Sequence, residues 1–154
     1  MSTTVRTAIE QDLDELAYLF DSYRQFYELP PDAELARRFI KDRFTQSDSV
    51  ILVAVDEQSS CSGFCQLYPT YCSLVAKPVY TLYDIFVHPD ARERGIGQQL
   101  LIAAQNRSMA DGMARMDLTT AKNNVKAQSL YSSLGWVRDD VFYTYSWKPR
   151  DLKT

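Results

Sequence analysis

Leu82 to Gly97 reads LYDIFVHPDARERGIG, and this stretch decides how the rest of the chain is read. A strand-like run from Leu82 to Val87 stops at Pro89 and gives way to a short polar loop with glycines at 95 and 97. A helical pattern begins at Gln98. Strand, glycine loop and helix N-terminus in succession are what a backbone needs to wrap a diphosphate, because the loop amides and the first free helical amides point outward. Neither G-x-x-x-x-G-K-[ST] nor G-x-G-x-x-G is present, so the spacing supports neither nucleoside triphosphate hydrolysis nor dinucleotide binding. What stands is Arg92-x-x-Gly95-x-Gly97.

The chain has 154 residues, 45% hydrophobic and 24% charged, which suits one globular domain with a real core. Net charge is -3 and no block of Lys or Arg occurs, so nothing points to nucleic acid or an anionic membrane, and a mildly acidic surface suits a cationic amine better. No run approaches the roughly 18 apolar residues of a membrane span, and MSTTVRTAIEQD has no signal-peptide core, so a cytoplasmic location is expected. Cys61, Cys65 and Cys72 are odd in number and have no zinc-ligand spacing; they read as reduced thiols, and no metal is expected. His88, the only histidine, lies beside Pro89 at a strand end and reads as structural.

Thr4 to Ile9 reads as a first strand, and Gln11 to Tyr27 keeps helical spacing with acidic residues in the first turn, where the helix dipole favours them. Pro30-Pro31 ends that helix, and a second is expected over roughly 32–45. Val50 to Val55, VILVAV, is a β-branched run expected to be buried on both faces at the centre of a sheet. Gly63 to Tyr68 reads as its hairpin partner, Pro69 to Lys77 as a loop, and Val79 to Val87 as the strand entering the glycine loop. Then come a helix over about 97–110, a strand over 115–120, a helix over 124–134 closed by Gly135, and a strand over about 141–147. The order β-α-α-β-β-β-α-β-α-β predicts an α/β fold: a mixed, mostly antiparallel sheet with helices on both faces.

This order, Arg92-x-x-Gly95-x-Gly97, and the second motif Asn124-x-x-Ala127-x-x-Leu130-Tyr131-x-x-x-Gly135-Trp136 together resemble the GNAT superfamily of N-acetyltransferases. Trp136 stands where that superfamily usually has Phe. Asp84-Ile85-Phe86-Val87 and Ala127-Gln128-Ser129-Leu130-Tyr131 look most like the small bacterial-type and histone or D-amino-acid-type members. The resemblance implies that acetyl-CoA is the cofactor. Amides from Arg92 through Glu93, Arg94, Gly95, Ile96 and Gly97 to Gln98 would hold its pyrophosphate, with charge from Arg92 and Arg94 beside it. Phe86 and Val87 would pair through their main chain with pantetheine, and Asn124 and Ala127 would lie along the arm. Asn124 serves equally as an N-cap.

By the same resemblance Tyr131 is the acid that protonates the CoA sulfur; on periodicity alone it is also a core tyrosine. Strict alternation would place Thr81, Tyr83 and Ile85 on one face of their strand and Leu82, Asp84 and Phe86 on the other. Tyr83 occupies the place where polyamine-acetylating relatives carry a catalytic Glu. Asp84, the only carboxylate on the strand, reads as a base, an amine-binding anion or a structural tie. Tyr27, Gln66, Tyr68 and Tyr83 are expected to line the acceptor pocket, which suits a small-molecule or peptide amine. The expected activity is direct acetyl transfer in a ternary complex, with a catalytically idle acyl-CoA-binding sensor as the alternative. A homodimer fits the aromatic C-terminal segment.

Overall fold

The computed structural model describes residues 2–150. They form two compact units, one running to Thr119 and the other beginning at Thr120. In the first unit, strands β1 (Thr4–Thr7), β2 (Val50–Val55), β3 (Cys61–Cys72), β4 (Lys77–Val87) and β5 (Met116–Asp117) form one sheet in chain order. Neighbours are antiparallel from β1 to β4, whereas β4 and β5 are parallel. Helices α1 (Leu13–Phe26), α2 (Ala33–Gln46) and α3 (Ile96–Ala110) complete the unit.

Side chains fix which helix covers which face. Phe64 packs against Phe20 and Tyr23 of α1, with ring centroids 6.3 and 5.9 Å apart, in a core shared with Ala36 and Ile40 of α2. Its neighbour Gly63 points the other way, and a Cβ there would lie 3.0 Å from Phe86 O and 3.3 Å from Leu100 of α3. Successive residues of a strand face opposite sides, so α1 and α2 cover one face and α3 the other. Both faces of β2 are therefore covered, and Ile51 to Val55 are all buried, as the VILVAV run requires.

Local chemistry sets the helix boundaries. Asp32 caps α2, accepting from Leu35 N at 3.0 Å, and Asp21 Oδ1 accepts from Asp32 N at 3.0 Å, which ties the α1–α2 connection to α1. Ahead of α1, residues Glu10–Asp12 form one 3-10 turn held by Asp12, whose Oδ2 accepts from Arg6 at 2.7 Å and Ile9 N at 2.8 Å, while Oδ1 accepts from Arg6 at 3.0 Å. Burial alone would raise this carboxyl; Arg6 and the Ile9 amide outweigh it and hold Asp12 below its ordinary value.

Three expectations change. The segment read as a loop from Pro69 to Lys77 is mostly strand: β3 runs on to Cys72, β4 starts at Lys77, and only the intervening turn is irregular. Proline is tolerated there because Pro69 and Pro78 lie in the arm of the hairpin beyond β2, which stops pairing β3 at Leu67. The strand expected over 115–120 shrinks to Met116–Asp117, whose register partners are Tyr80 and Thr81. No strand forms over Val141 to Trp147: among its described residues the second unit contributes one helix, α4 (Val125–Ser133), and no strand. No described helix is long and apolar enough to cross a membrane.

Candidate active site

The face of β3 and β4 beneath α1 departs from strict alternation. The register pairs Gln66 with Asp84 but Leu67 with Leu82, so Tyr83 is the extra residue of a β-bulge. Leu82 is turned to the α3 side with Leu67, while Asp84 and Phe86 stay beneath α1 with Gln66 and Phe64. The Tyr83 ring packs edge-on against Tyr68 with centroids 5.6 Å apart, and Tyr23 Oη donates to Tyr83 O at 3.4 Å. The bulge thus puts Tyr83 and Asp84 on one face, correcting the expectation that they lie on opposite faces.

Asp84 is only 5% exposed and Gln66 is fully buried. Gln66 Nε2 donates to Asp84 Oδ2 at 2.9 Å, and Ser49 Oγ donates to Gln66 Oε1 at 2.7 Å. Both ends of the Gln66 amide are occupied and the side chain is fully buried, so Gln66, expected to line the acceptor pocket, is an interior residue instead. Burial pushes the Asp84 carboxyl above its ordinary value; the hydrogen bond from Gln66 and the nearby Tyr23 hydroxyl pull the other way without cancelling it. Tyr23 and Tyr68 are raised in turn, first by burial and then by the Asp84 charge, Tyr68 to about 12. Tyr83 and Tyr27 are exposed, at 68% and 58%.

Beyond the bulge no strand among the described residues pairs with the other edge of β4. Its only register partners in β5 are at Tyr80 and Thr81. On the β3 side His88 N donates to Ser62 O at 2.8 Å, so antiparallel alternation turns the main-chain groups of Phe86 toward Phe64 and those of Ile85 and Val87 toward the other edge. Phe86, expected to offer its main chain to pantetheine, therefore has its main-chain groups committed to β3. This edge runs into a 3-10 turn at Pro89–Ala91, capped by His88 Nδ1 accepting from Asp90 N at 3.1 Å.

The glycine loop then takes two left-handed residues, Glu93 (φ 64°) and Gly95 (φ 76°). Gly95 supplies that conformation without the usual side-chain penalty and starts α3. The first helical bond runs from Gln99 N to Gly95 O at 3.0 Å, which leaves the amides of Ile96, Gly97 and Gln98 at the open end of the helix. A Cβ at Gly95 or Gly97 would meet nothing within 4 Å, and the first turn of α3 carries no acid. An anion cradle needs such unfilled space, outward amides and no opposing charge. Arg92 does not extend into it: Nε donates to Val87 O at 3.1 Å, and the guanidinium lies 5.5 Å from the Phe26 ring centre and 5.4 Å from that of Phe86. It braces the junction of strand and loop.

In the second unit, Asn124 Oδ1 accepts from Ala127 N at 3.4 Å, so its capping role is present. Gly135 (φ 91°) explains the end of the motif: Trp136 N donates to Tyr131 O at 3.0 Å and Gly135 N to Ser132 O at 3.2 Å, a Schellman closure of α4. The Tyr131 and Trp136 rings meet with centroids 6.1 Å apart, the apolar contact that accompanies such a closure.

Ser49 went unnoticed in the sequence because a lone serine before a strand carries no signal. The bulge leaves no mark either, since the run LYDIFV contains no glycine to betray it. Among the described residues no group of three or more His, Cys, Asp or Glu could hold a metal ion, and all three cysteines are free.

Residues 14–136 match the family model described as the acetyltransferase (GNAT) family. An uncharacterised N-acetyltransferase of Bacillus subtilis, YhfO, is 40% identical over 92% of this chain and 94% of its own. A thialysine N-epsilon-acetyltransferase of Sus scrofa is 26% identical over 87% of this chain and 84% of its own. The crystal structure of a probable acetyltransferase superposes with a TM-score of 0.90 at 36% identity, covering 96% of this chain and 99% of that one.

Proposed function

Since this chain belongs to the GNAT acetyltransferase family, we propose that it transfers the acetyl group of acetyl-CoA to a primary amine of a small molecule or peptide, by direct attack in a ternary complex. The observation that carries this reading is the edge of β4 left unpaired by the described strands, leading into the glycine cradle of α3. The family match crosses from one compact unit into the other, which supports one catalytic domain spanning residues 1–154.

When bound, acetyl-CoA supplies a thioester carbonyl open to an uncharged amine. Amides from Glu93 to Gln98 would hold the pyrophosphate, helped by the positive end of α3, and Arg94 would add charge. Ile85 and Val87 would pair with the pantetheine amides as a strand pairs with its neighbour. Asp84 accepts the proton given up by the amine, reached through the Tyr23 hydroxyl or a water because the carboxylate is buried. Tyr131 is assigned by its motif as the group that returns a proton to the departing sulfur. Tyr23, Tyr27, Tyr68 and Tyr83 would offer ring faces to a cationic acceptor before it loses its proton. A relative named for thialysine supports an amine acceptor.

Calorimetric titration with acetyl-CoA and thiol release against a panel of primary amines test this reading together. Binding with turnover on an amine is expected. Binding with no turnover on any acceptor would favour an acyl-CoA sensor, and absence of binding would overturn the reading.

A further inference from the structure

Ser49, Gln66 and Asp84 form a hydrogen-bonded chain in which Gln66 is fully buried and Asp84 only 5% exposed. We propose that Gln66, whose amide oxygen is satisfied by Ser49, is a positioning residue that keeps the Asp84 carboxylate ionised and aimed, and so sets the pH at which acetyl transfer begins. This deepens the reading of Asp84 as the proton acceptor and rests on it.

An amide side chain presents a donor at one end and an acceptor at the other, and either end fits the same space. The ionised carboxylate breaks that symmetry, since it only accepts: Gln66 Nε2 donates to Asp84 Oδ2 at 2.9 Å, and the Ser49 hydroxyl satisfies the Oε1 left at the other end, donating to it at 2.7 Å. A donor aimed at a carboxylate oxygen favours the charged form, and a flipped amide would oppose it. Gln66 is fully buried, so water cannot take its place at that oxygen.

The titratable groups around Asp84 leave this donor with an unusual share of the work. From α1 come Tyr23 and, behind it, Tyr27; from β3, Cys65 and Tyr68; from β4, Tyr83. Arg43 of α2 and Asp48 bear on Tyr68. Burial pushes Cys65 up to about 12 and Tyr68 likewise, so both stay neutral at working pH. Against burial of Asp84 itself, the groups favouring its anion are Gln66 and Tyr23. Tyr23 also reaches the Tyr83 carbonyl, whereas both ends of the Gln66 amide serve this one arrangement.

The test is the pH profile of kcat/KM for Gln66→Leu, Ser49→Ala and Ser49→Thr beside wild type, with 13C NMR titration of the Asp84 carboxyl in protein free of substrates, its resonance assigned by its loss in Asp84→Asn. Gln66→Leu is expected to move the acid limb to higher pH, with about tenfold loss near neutrality that closes in alkali, while KM for acetyl-CoA stays unchanged. Ser49→Ala is expected to move the limb less in the same direction, and Ser49→Thr, which keeps the hydroxyl, to restore it. The NMR midpoint is expected to rise in parallel. A loss equal at every pH, or an unmoved midpoint in Gln66→Leu and Ser49→Ala, would overturn the proposal. If Gln66→Leu fails to fold, Ser49→Ala decides alone. Because the titration needs no turnover, a wild-type protein that acetylates nothing would sink the transferase reading while this proposal is still decided by the midpoint.

Discussion

Burial raises Asp84 above its ordinary value, so its proton-accepting form is populated only as pH climbs past that raised value. The same shift acts on stability with a definite sign. A carboxyl whose folded-state pKa is raised contributes stability fully present below the unfolded value of about 3.9 and lost as pH rises through the folded value. Asp84→Asn is therefore expected to raise Tm at pH 8, with the gain vanishing near pH 3, and to lower kcat/KM; scanning calorimetry at the two pH values checks the first half. A higher Tm at both would mean that the gain has nothing to do with ionisation. The residue proposed as the proton acceptor thus weakens the fold at high pH. None of this geometry was legible in the sequence: alternation along LYDIFV put Tyr83 and Asp84 on opposite faces, and only the bulge, a tertiary outcome of pairing with β3, brings them together. Gln66 was read as lining the pocket because a polar residue in a strand looks exposed until both its hydrogen bonds are seen.

Two glycines at the start of α3 have different jobs. Gly95 is left-handed, so Gly95→Ala is expected to cost about 1–2 kcal/mol of stability as well as cofactor affinity. Gly97 lies inside the helix with open space at its Cβ position, so Gly97→Ala is expected to add about 0.5–1 kcal/mol of stability. The same substitution should weaken acetyl-CoA binding roughly tenfold through a lost amide contact. Urea melts and calorimetric titration of that one variant separate stability from binding; equal affinity would move the phosphate site elsewhere. The start of α1 responds to pH in the opposite sense from Asp84. Asp12 is held below its ordinary value, so its contribution is present above about 3.9 and lost as pH falls through the folded value. Asp12→Ala is expected to cost about 2–3 kcal/mol at pH 7, a gap that narrows at pH 3, read from urea midpoints. Elements with strong local signals were legible: Val50–Val55 stands where VILVAV placed it, and α3 begins one residue from the expected start. The long β3–β4 hairpin was not, because Pro69 and Pro78 read as loop punctuation while the arm tolerates them away from β2.

For the whole molecule, a mixed, mostly antiparallel sheet with helices on both faces followed from element order and from two motifs tied to glycines, whereas the side that each helix takes is seen only in the packing. Where the sequence misled, the missing ingredient was a pairing partner: β5 is short and no strand forms over Val141 to Trp147, although the aromatic run there has every local property of one. Acetyl transfer is measured most directly as thiol release from acetyl-CoA with a panel of polyamines, amino acids, aminoglycosides and Lys-containing peptides, wild type beside Tyr131→Phe. Turnover on a primary amine is expected, with kcat about 10²- to 10⁴-fold lower in the variant and KM for acetyl-CoA unchanged. Equal turnover in the two proteins would remove Tyr131 from the chemistry, and no thiol release on any amine by the wild type would contradict the transferase assignment.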